Sequence, residues 1–148
     1  MTKRIFRSIM LVSAVCMVTG LAFLMGVLYH FFGNQLEKEL KAEASYLELA
    51  VEENGESVLE KLPKNSARVT WIAEDGTVIF DNKADAFDMS NHNDREEIKD
   101  AQKNGAGTSV RQSDTLGEKT VYYAKRLSDN SILRISSDQY TVIALLKQ

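Results

Sequence analysis

Hydrophobic and polar positions divide the chain into two regions, and the first is an almost continuous apolar stretch over residues 9–32. Only five residues in it are not apolar, namely Ser13, Thr19, Gly20, Gly26 and His30. As a helix rising about 1.5 Å per residue, the stretch is roughly 36 Å long, which is enough to cross a hydrocarbon core of about 30 Å. It exceeds the apolar core of about 7–15 residues that a signal peptide has, and its aromatic end offers no small-residue cleavage site. The pattern therefore predicts an uncleaved transmembrane helix.

The second region begins with strong helix formers over residues 33–63. Apolar residues recur there at spacings of three, four or seven, which predicts a membrane-proximal amphipathic helix; they are Leu36, Leu40, Ala44, Leu47, Val51 and Val58. Pro63 ends the predicted helix because proline lacks the backbone donor and clashes with the preceding turn. The apolar stripe has two possible roles, packing on its own domain and contact with a second copy, and both can hold, because the distal half can cover a sheet while the membrane-proximal half has little else to pack on. For a homodimer, Leu36, Leu40 and Leu47 are the candidate contacts.

After Pro63 the apolar period changes to that of β-strands. The Asp75-Gly76 pair between two such runs predicts a hairpin. Asp94 predicts a helix N-cap, with Glu97 three residues later as its capping-box partner and Gly105 as the C-terminal stop. The predicted strands are 67–73, 77–81, 108–112, 119–126 and 131–136, and the short helix is 94–104. This order predicts an α+β domain over residues 64–137, with a five-stranded, mostly antiparallel sheet that carries helices on one face.

The last segment, residues 138–148, has a helix-like apolar pattern after Asp138. It predicts a C-terminal helix capped by Asp138. Because a new hydrophobic run begins there, we expect this helix to lead toward a second membrane span.

Charge is distributed unevenly around the apolar stretch. The chain has 18 basic and 21 acidic residues, and Lys3, Arg4 and Arg7 are the only charged ones before Glu37. The stub of residues 1–8 thus carries +3, while 15 bases against 21 acids leave −6 on the rest. By the positive-inside rule the N-terminus is cytoplasmic and the acidic region is extracytoplasmic. An excess of acid also argues against nucleic-acid binding.

Candidate chemistry is sparse. One cysteine and two histidines exclude a disulfide scaffold, a catalytic triad and a histidine-based metal centre, and no phosphate-binding glycine loop is present. We therefore predict no catalytic residue, no metal site and no cofactor. The densest polar cluster, residues 91–95, enters a helix N-terminus, so it is either a signal-contact site or a capping turn. The later strands offer four residues that could face it, Arg111, Tyr122, Tyr123 and Lys125, and alternation does not decide which of them do. The candidate contacts are Asn91, His92, Asp94, Arg95, Arg111 and Tyr123.

Five segments in the same order carry a resemblance to a known family. They are RVTWIAEDGTVIFD at 68–81, MSNHNDREEI at 89–98, GAGTSVRQS at 105–113, TLG at 115–117 and VYYA at 121–124. Together they resemble the extracytoplasmic sensor portion of bacterial membrane histidine kinases of the phosphate-regulon sensor type. The resemblance extends over residues 3–146 and includes the first span.

The resemblance implies a PAS-like, or CACHE, sensor domain held between two membrane spans. A complete member continues into a second span, a dimerisation helix pair with the phosphorylated histidine, and an ATP-binding domain. None of those catalytic motifs occurs in these 148 residues, so autophosphorylation and response-regulator contact would depend on the missing domains. The implied function is signal sensing and transmembrane signalling in a two-component phosphorelay. A stand-alone membrane-anchored binding module, or the sensor of a chemoreceptor or cyclic-dinucleotide enzyme, is the alternative.

Overall fold

A computed structural model describes residues 2–63, 66–112 and 119–139. The chain divides into two compact units, Met1–Gln35 and Leu36–Gln148. The first unit consists of the N-terminal part of helix α1, which spans Thr2–Asn54. Its apolar side chains are exposed, and by length and composition this helix could cross a membrane. The predicted long N-terminal helix is thus confirmed.

In the second unit, α1 continues from Leu36 to Asn54 and is followed by a 3₁₀ helix, Gly55–Lys61. The sequence pattern predicted one helix through this region. Gly55 has a φ of +65°, a left-handed conformation that interrupts the α-helical hydrogen-bond ladder. The chain therefore turns into the tighter helix at that residue.

The five predicted strands are all present. β1 is Arg68–Ile72, β2 is Val78–Asp81, β3 is Ala106–Gln112, β4 is Lys119–Arg126 and β5 is Ile132–Gln139. They form one antiparallel sheet in the order β2-β1-β5-β4-β3. The predicted hairpin at Asp75-Gly76 closes with a hydrogen bond of 2.8 Å from the Ala73 nitrogen to the Thr77 oxygen. Helix α2, Glu96–Asn104, connects β2 to β3 and ends at Gly105, as predicted.

The prediction that the helices lie on one face of the sheet is wrong. The buried side of α1 packs on one face, where Leu40 and Leu47 join Val69, Leu133 and Ile135 in one core cluster. Helix α2 packs on the other face, in a second cluster of Ile72, Val78, Ile98, Ala101, Ala124 and Ile132. Adjacent strand residues point to opposite faces, so each strand that pairs with two neighbours contributes apolar residues to both clusters. The sheet is therefore the middle of three layers.

The α1 packing gives the central part of the apolar stripe the first of its two possible roles, packing on its own domain. Leu40 is 2% exposed and Leu47 8% exposed, and Leu36 packs against the same cluster. Leu40 and Leu47 belong to the core of their own domain, so the prediction that they form the dimer contact is wrong. For the part-buried Leu36 the dimer contact stays a prediction.

The C-terminal prediction also changes. Strand β5 runs through Asp138 to Gln139, and Asp138 pairs with Thr120 of β4. The Thr120 hydroxyl donates a hydrogen bond of 2.6 Å to Asp138 Oδ1. Asp138 is therefore a strand residue and not a helix N-cap. The rest of the predicted helix, residues 140–148, lies outside the described residues.

Candidate functional site

Polar side chains form three rows across the α2 face of the sheet. Strand pairing joins Asp81, Thr70 and Arg134 in one row, Arg68, Ser136, Tyr122 and Ser109 in the next, and Asp138, Thr120 and Arg111 in the third. Beyond the first row, Ile72 and Ile132 continue into the apolar cluster beneath α2. The same face is thus apolar at one end and strongly polar at the other.

Glu97 is the centre of the buried part of this polar region. Its side chain is fully buried, accepts a hydrogen bond of 2.6 Å from the Ser109 hydroxyl, and forms an ion pair with Arg111. Arg134 lies farther away, with 3.5 Å between its Nη1 and Glu97 Oε1. Burial alone would raise the pKa of Glu97, but the hydrogen bonds from Ser109 and Arg111 outweigh it and hold the pKa below its usual value. Glu97 is therefore a buried carboxylate.

This role corrects the predicted capping box. Helix α2 has Arg95 at its N-cap, and the Arg95 carbonyl accepts from the backbone nitrogens of Ile98 and Lys99. Glu97 turns toward the sheet instead of back to the helix start. There it meets the part-buried guanidinium of Arg111 and the buried one of Arg134, which stabilise the carboxylate in that direction.

Arg134 is the most deeply buried cation of the described region, with 4% of its surface exposed. Its Nη2 donates a hydrogen bond of 3.1 Å to the Thr70 hydroxyl, whereas its Nε has no acceptor among the described residues. Burial lowers its pKa, and the Glu97 charge opposes that shift. Arg134 is thus only partly compensated by its neighbours.

Arg68 is held at the edge of the site by Asp81. Its Nε lies 3.0 Å from Asp81 Oδ2, and the same carboxylate accepts from the Thr70 hydroxyl at 2.8 Å. Asp81 also accepts from the backbone nitrogens of Lys83 and Ala84. These contacts fix the Nε side of the Arg68 guanidinium, so the side chain is oriented. It nevertheless remains 40% exposed.

The tyrosine that joins these charges is Tyr122, and not the predicted Tyr123. The Tyr122 ring has the Arg111 Cζ 4.3 Å and the Arg134 Cζ 5.4 Å from its centre. Tyr123 points to the other face, where it belongs to the α1 core cluster. Of the predicted strand contacts, the structure therefore places Arg111 in the site and removes Tyr123 from it.

The members of the predicted cluster at residues 91–95 also lie in different places, one buried and the others exposed. His92 is 7% exposed, and its Nδ1 has no partner among the described residues. Burial and the positive charges of Arg134 and Arg95 lower its pKa to about 4, so the ring is neutral at pH 7. His92 thus lies inside, near the buried charges.

The other members of that cluster have local roles. Asn91 Nδ2 donates a hydrogen bond of 2.8 Å to the Asp75 carbonyl, which ties the loop to the β1–β2 turn. Asp94 is exposed and lies 3.7 Å from Lys99 Nζ. Arg95 is exposed as well. Asp94 does not cap α2, whose N-cap is Arg95 with no side-chain cap hydrogen bond, and contact of these exposed residues with a signal stays a prediction.

A groove opens at the end of the sheet where β1 begins and β5 ends, with a volume of about 610 Å³. Most of its described lining residues carry hydroxyl or charged groups; the full set is Ser66, Ala67, Arg68, Lys83, Thr120, Tyr122, Ser136, Ser137 and Asp138. Arg68, Ser136 and Tyr122 are the middle row of the polar face. The groove therefore continues outward from the buried charges.

Sequence reasoning missed Arg68, Asp81 and Arg134 as parts of one site, and it kept Tyr123 instead of Tyr122 as a candidate contact. Arg134 had a detectable signal, since it interrupts the apolar run ILRI in a strand that is buried on both faces. A charge in such a strand requires a partner. Asp81 lies opposite Thr70 in the hairpin, so its contact with the Arg68 side chain crosses the register diagonally and did not follow from the predicted strands. Tyr122 had no such signal because its neighbour is also tyrosine.

Comparison with protein families finds that residues 29–132 match the Single Cache-like family. No curated protein matches the chain significantly. The matched region covers well over half of the chain and contains the amphipathic half of α1, the first four strands and α2. A Cache domain that follows an apolar helix fits a membrane-anchored protein with an extracellular sensor domain. The chain belongs to the Single Cache-like family.

Proposed function

We propose that this chain is the extracytoplasmic signal-sensing and transmembrane signalling portion of a two-component sensor histidine kinase of the phosphate-regulon type. The observation that carries the proposal is the Single Cache-like match at residues 29–132, which begins within the apolar helix. The order of the five resembling segments supports this kinase class over other receptors that use Cache domains. The catalytic domains would lie outside these 148 residues.

The polar groove supplies a route from signal to output in this proposal. Ser136 and Asp138 line it, and both belong to β5, the last described strand. A ligand or partner that prefers one arrangement of the groove would shift the population of that arrangement. In the proposed receptor, the change passes along β5 to the second span as a small displacement of the helices.

The proposed topology has a cytoplasmic stub of residues 1–8, a span of residues 9–32 and an extracytoplasmic domain beyond it. Three basic residues precede the apolar stretch and no acid does. Such a bias favours a cytoplasmic N-terminus.

We further propose that the receptor is a homodimer, although not through the predicted Leu40 and Leu47, which are buried. Within the second unit, the surface of α1 that faces away from the core exposes Tyr46 at 76% and Leu49 at 64%. Ala42 precedes them at helical spacing and is also exposed. Two membrane-anchored copies share an orientation, so a second copy can bring the same helix face against this one.

The kinase assignment is tested by the coding sequence that follows Gln148 and by autophosphorylation of the full-length protein. We expect a second span, a histidine-bearing helix pair and an ATP-binding domain, and transfer of the γ-phosphoryl group of ATP to that histidine in membranes. A chemoreceptor signalling domain, a cyclic-dinucleotide synthase domain or a stop codon would each contradict the proposal and identify an alternative.

Topology is tested separately with reporters fused after Gln148. Alkaline phosphatase should be active there because it requires the extracytoplasmic compartment, and a fluorescent protein that folds only in the cytoplasm should be dark. The opposite result would contradict the proposed orientation.

A further inference from the structure

The groove beside Arg68 combines a fixed cation with a row of hydroxyl groups. Arg68, Ser136 and Tyr122 lie side by side on β1, β5 and β4, because Arg68 pairs with Ser136 and Ser136 pairs with Tyr122. All three line the groove. A guanidinium and two hydroxyl groups in one row are donors suited to an oxygen-rich anion.

Arg68 is oriented before any ligand arrives. Its Nε contacts Asp81, and Asp81 is held in turn by the Thr70 hydroxyl and two backbone nitrogens. The contact to Asp81 uses the Nε side of the guanidinium, while the side chain lines the groove and remains 40% exposed. Binding to a group that is already oriented costs less conformational entropy.

The interior behind this row has unbalanced positive charge. Arg111 and Arg134 face a single carboxylate, Glu97, whose shorter contacts go to Arg111 and Ser109. Arg134 is 4% exposed, and its Nε has no acceptor among the described residues. A buried cation that shares its one carboxylate with a second cation still attracts an anion placed in the next row of the sheet. This local cationic excess contrasts with the net −6 of the chain beyond the N-terminal stub.

We infer that the groove binds a small oxyanion, a carboxylate or a tetrahedral oxyanion, whose oxygens accept from Arg68, Ser136 and Tyr122. The inference rests on the proposed sensor function and names the chemical class of its signal. Asp138 lies in the outer row, and its Oδ1 accepts a hydrogen bond of 2.6 Å from the Thr120 hydroxyl. Its negative charge confines the anionic group of the ligand to the inner half of the groove.

The experiment is titration calorimetry of the full chain in detergent with sodium phosphate, sodium sulfate, sodium acetate and trisodium citrate at matched ionic strength. Sodium chloride is the control salt. We expect saturable binding of at least one oxyanion and none of chloride. Binding of phosphate and sulfate alone would identify a tetrahedral ligand, and binding of acetate or citrate alone would identify a carboxylate.

Three variants locate the site. Arg68→Gln removes a charged hydrogen bond and should raise the dissociation constant of the oxyanion about tenfold or more. Ser136→Ala removes a hydroxyl donor but no charge, and it should raise the dissociation constant several-fold. Lys103→Gln removes an exposed charge from α2, outside the groove, and should leave the dissociation constant unchanged.

Two results would overturn the inference. One is the absence of saturable binding of every oxyanion by a chain whose thermal unfolding is intact. The other is equal weakening by Arg68→Gln and Lys103→Gln, which would indicate a general charge effect. Neither result bears on the kinase proposal, since autophosphorylation and the downstream sequence test that independently.

Discussion

The Arg111 guanidinium stacks over the Tyr122 ring, with its Cζ 4.3 Å from the ring centre. Arg134 lies 5.4 Å from the same ring, so one aromatic side chain contacts both cations that flank Glu97. The negative face of an aromatic ring stabilises a nearby cation, most strongly where water is excluded. Tyr122 thus joins the buried charges to the groove.

Replacing the Tyr122 ring tests this contact. Tyr122→Leu should lower the free energy of unfolding by about 1 to 2 kcal/mol, because it removes the cation–π contacts to both guanidinium groups. Tyr122→Phe keeps the ring and should stay within about 0.5 kcal/mol of the parent. Urea unfolding measures both variants. Similar losses in the two would show that the hydroxyl, and not the ring, is the important group.

Removal of the buried carboxylate should be costly. Glu97→Gln leaves Arg111 and Arg134 without a counter-charge in the interior, and we expect a loss of about 3 kcal/mol in the free energy of unfolding. Glu96→Gln is the matched control, since Glu96 is the exposed neighbour in the same helical turn and should change stability by less than about 0.5 kcal/mol. Equal effects at the two positions would contradict the buried ion-pair network.

Stability should depend on pH through His92. Its pKa falls from 6.5 in the unfolded chain to about 4 in the folded one, so between these values the unfolded state binds more protons. Stability is therefore highest above pH 6.5 and decreases as the pH falls toward 4. Between pH 6.5 and about pH 5 the expected loss is about 2 kcal/mol.

Thermal or urea unfolding at a series of pH values measures this dependence, and His92→Gln is the control. The variant has no imidazole to protonate, so the loss of stability that His92 contributes over that window should be absent from it. A slope that persists in His92→Gln would assign the effect to another group.

Two glycines with the same backbone conformation provide a matched pair. Gly76 and Gly105 both have a φ of +86°, a value that side-chain-bearing residues rarely adopt. A Cβ at Gly76 would also lie 2.7 Å from the Asn93 backbone nitrogen, whereas a Cβ at Gly105 would meet nothing within 4 Å.

Gly105→Ala should therefore lower the free energy of unfolding by about 1 to 2 kcal/mol, through the strained backbone conformation alone. Gly76→Ala should lower the free energy of unfolding by about 1 to 3 kcal/mol more than Gly105→Ala does, because the Asn91–Asn93 backbone must move away from the hairpin turn. Denaturant unfolding compares the two. Equal losses would contradict the packing of that loop on the turn.

The proposed dimer surface is testable by disulfide cross-linking in membranes. In a Cys16→Ser background, Leu49→Cys should form a linked dimer on oxidation because its side chain is exposed on α1. Leu40→Cys, whose side chain is buried in the core, should not. Cross-linking at position 40 and not at position 49 would restore the contact predicted from the sequence.

Local sequence signals were sufficient for most of the fold. Asp75-Gly76 specified a hairpin turn, Gly105 specified the end of α2, and alternating apolar residues located all five strands. These features depend on a few adjacent residues and their φ preferences. Gly55 was the main local exception, since a single internal glycine is also tolerated within a helix.

Whether a side chain enters the site depends on contacts that are distant in the chain. The sequence by itself determined a charge-free membrane-spanning pattern, an α+β sensor-type domain and a dense polar cluster at residues 91–95. Only the tertiary structure placed α1 and α2 on opposite faces of the sheet, which buried Leu40 and Leu47 and separated Tyr122 from Tyr123. Only the strand register placed Asp81, Thr70 and Arg134 in one row, and only the packing of α2 brought Glu97 to Arg111 and Arg134. Period-2 alternation shows that neighbours face opposite sides, but which side becomes the core and which binds charge depends on the helix that packs there.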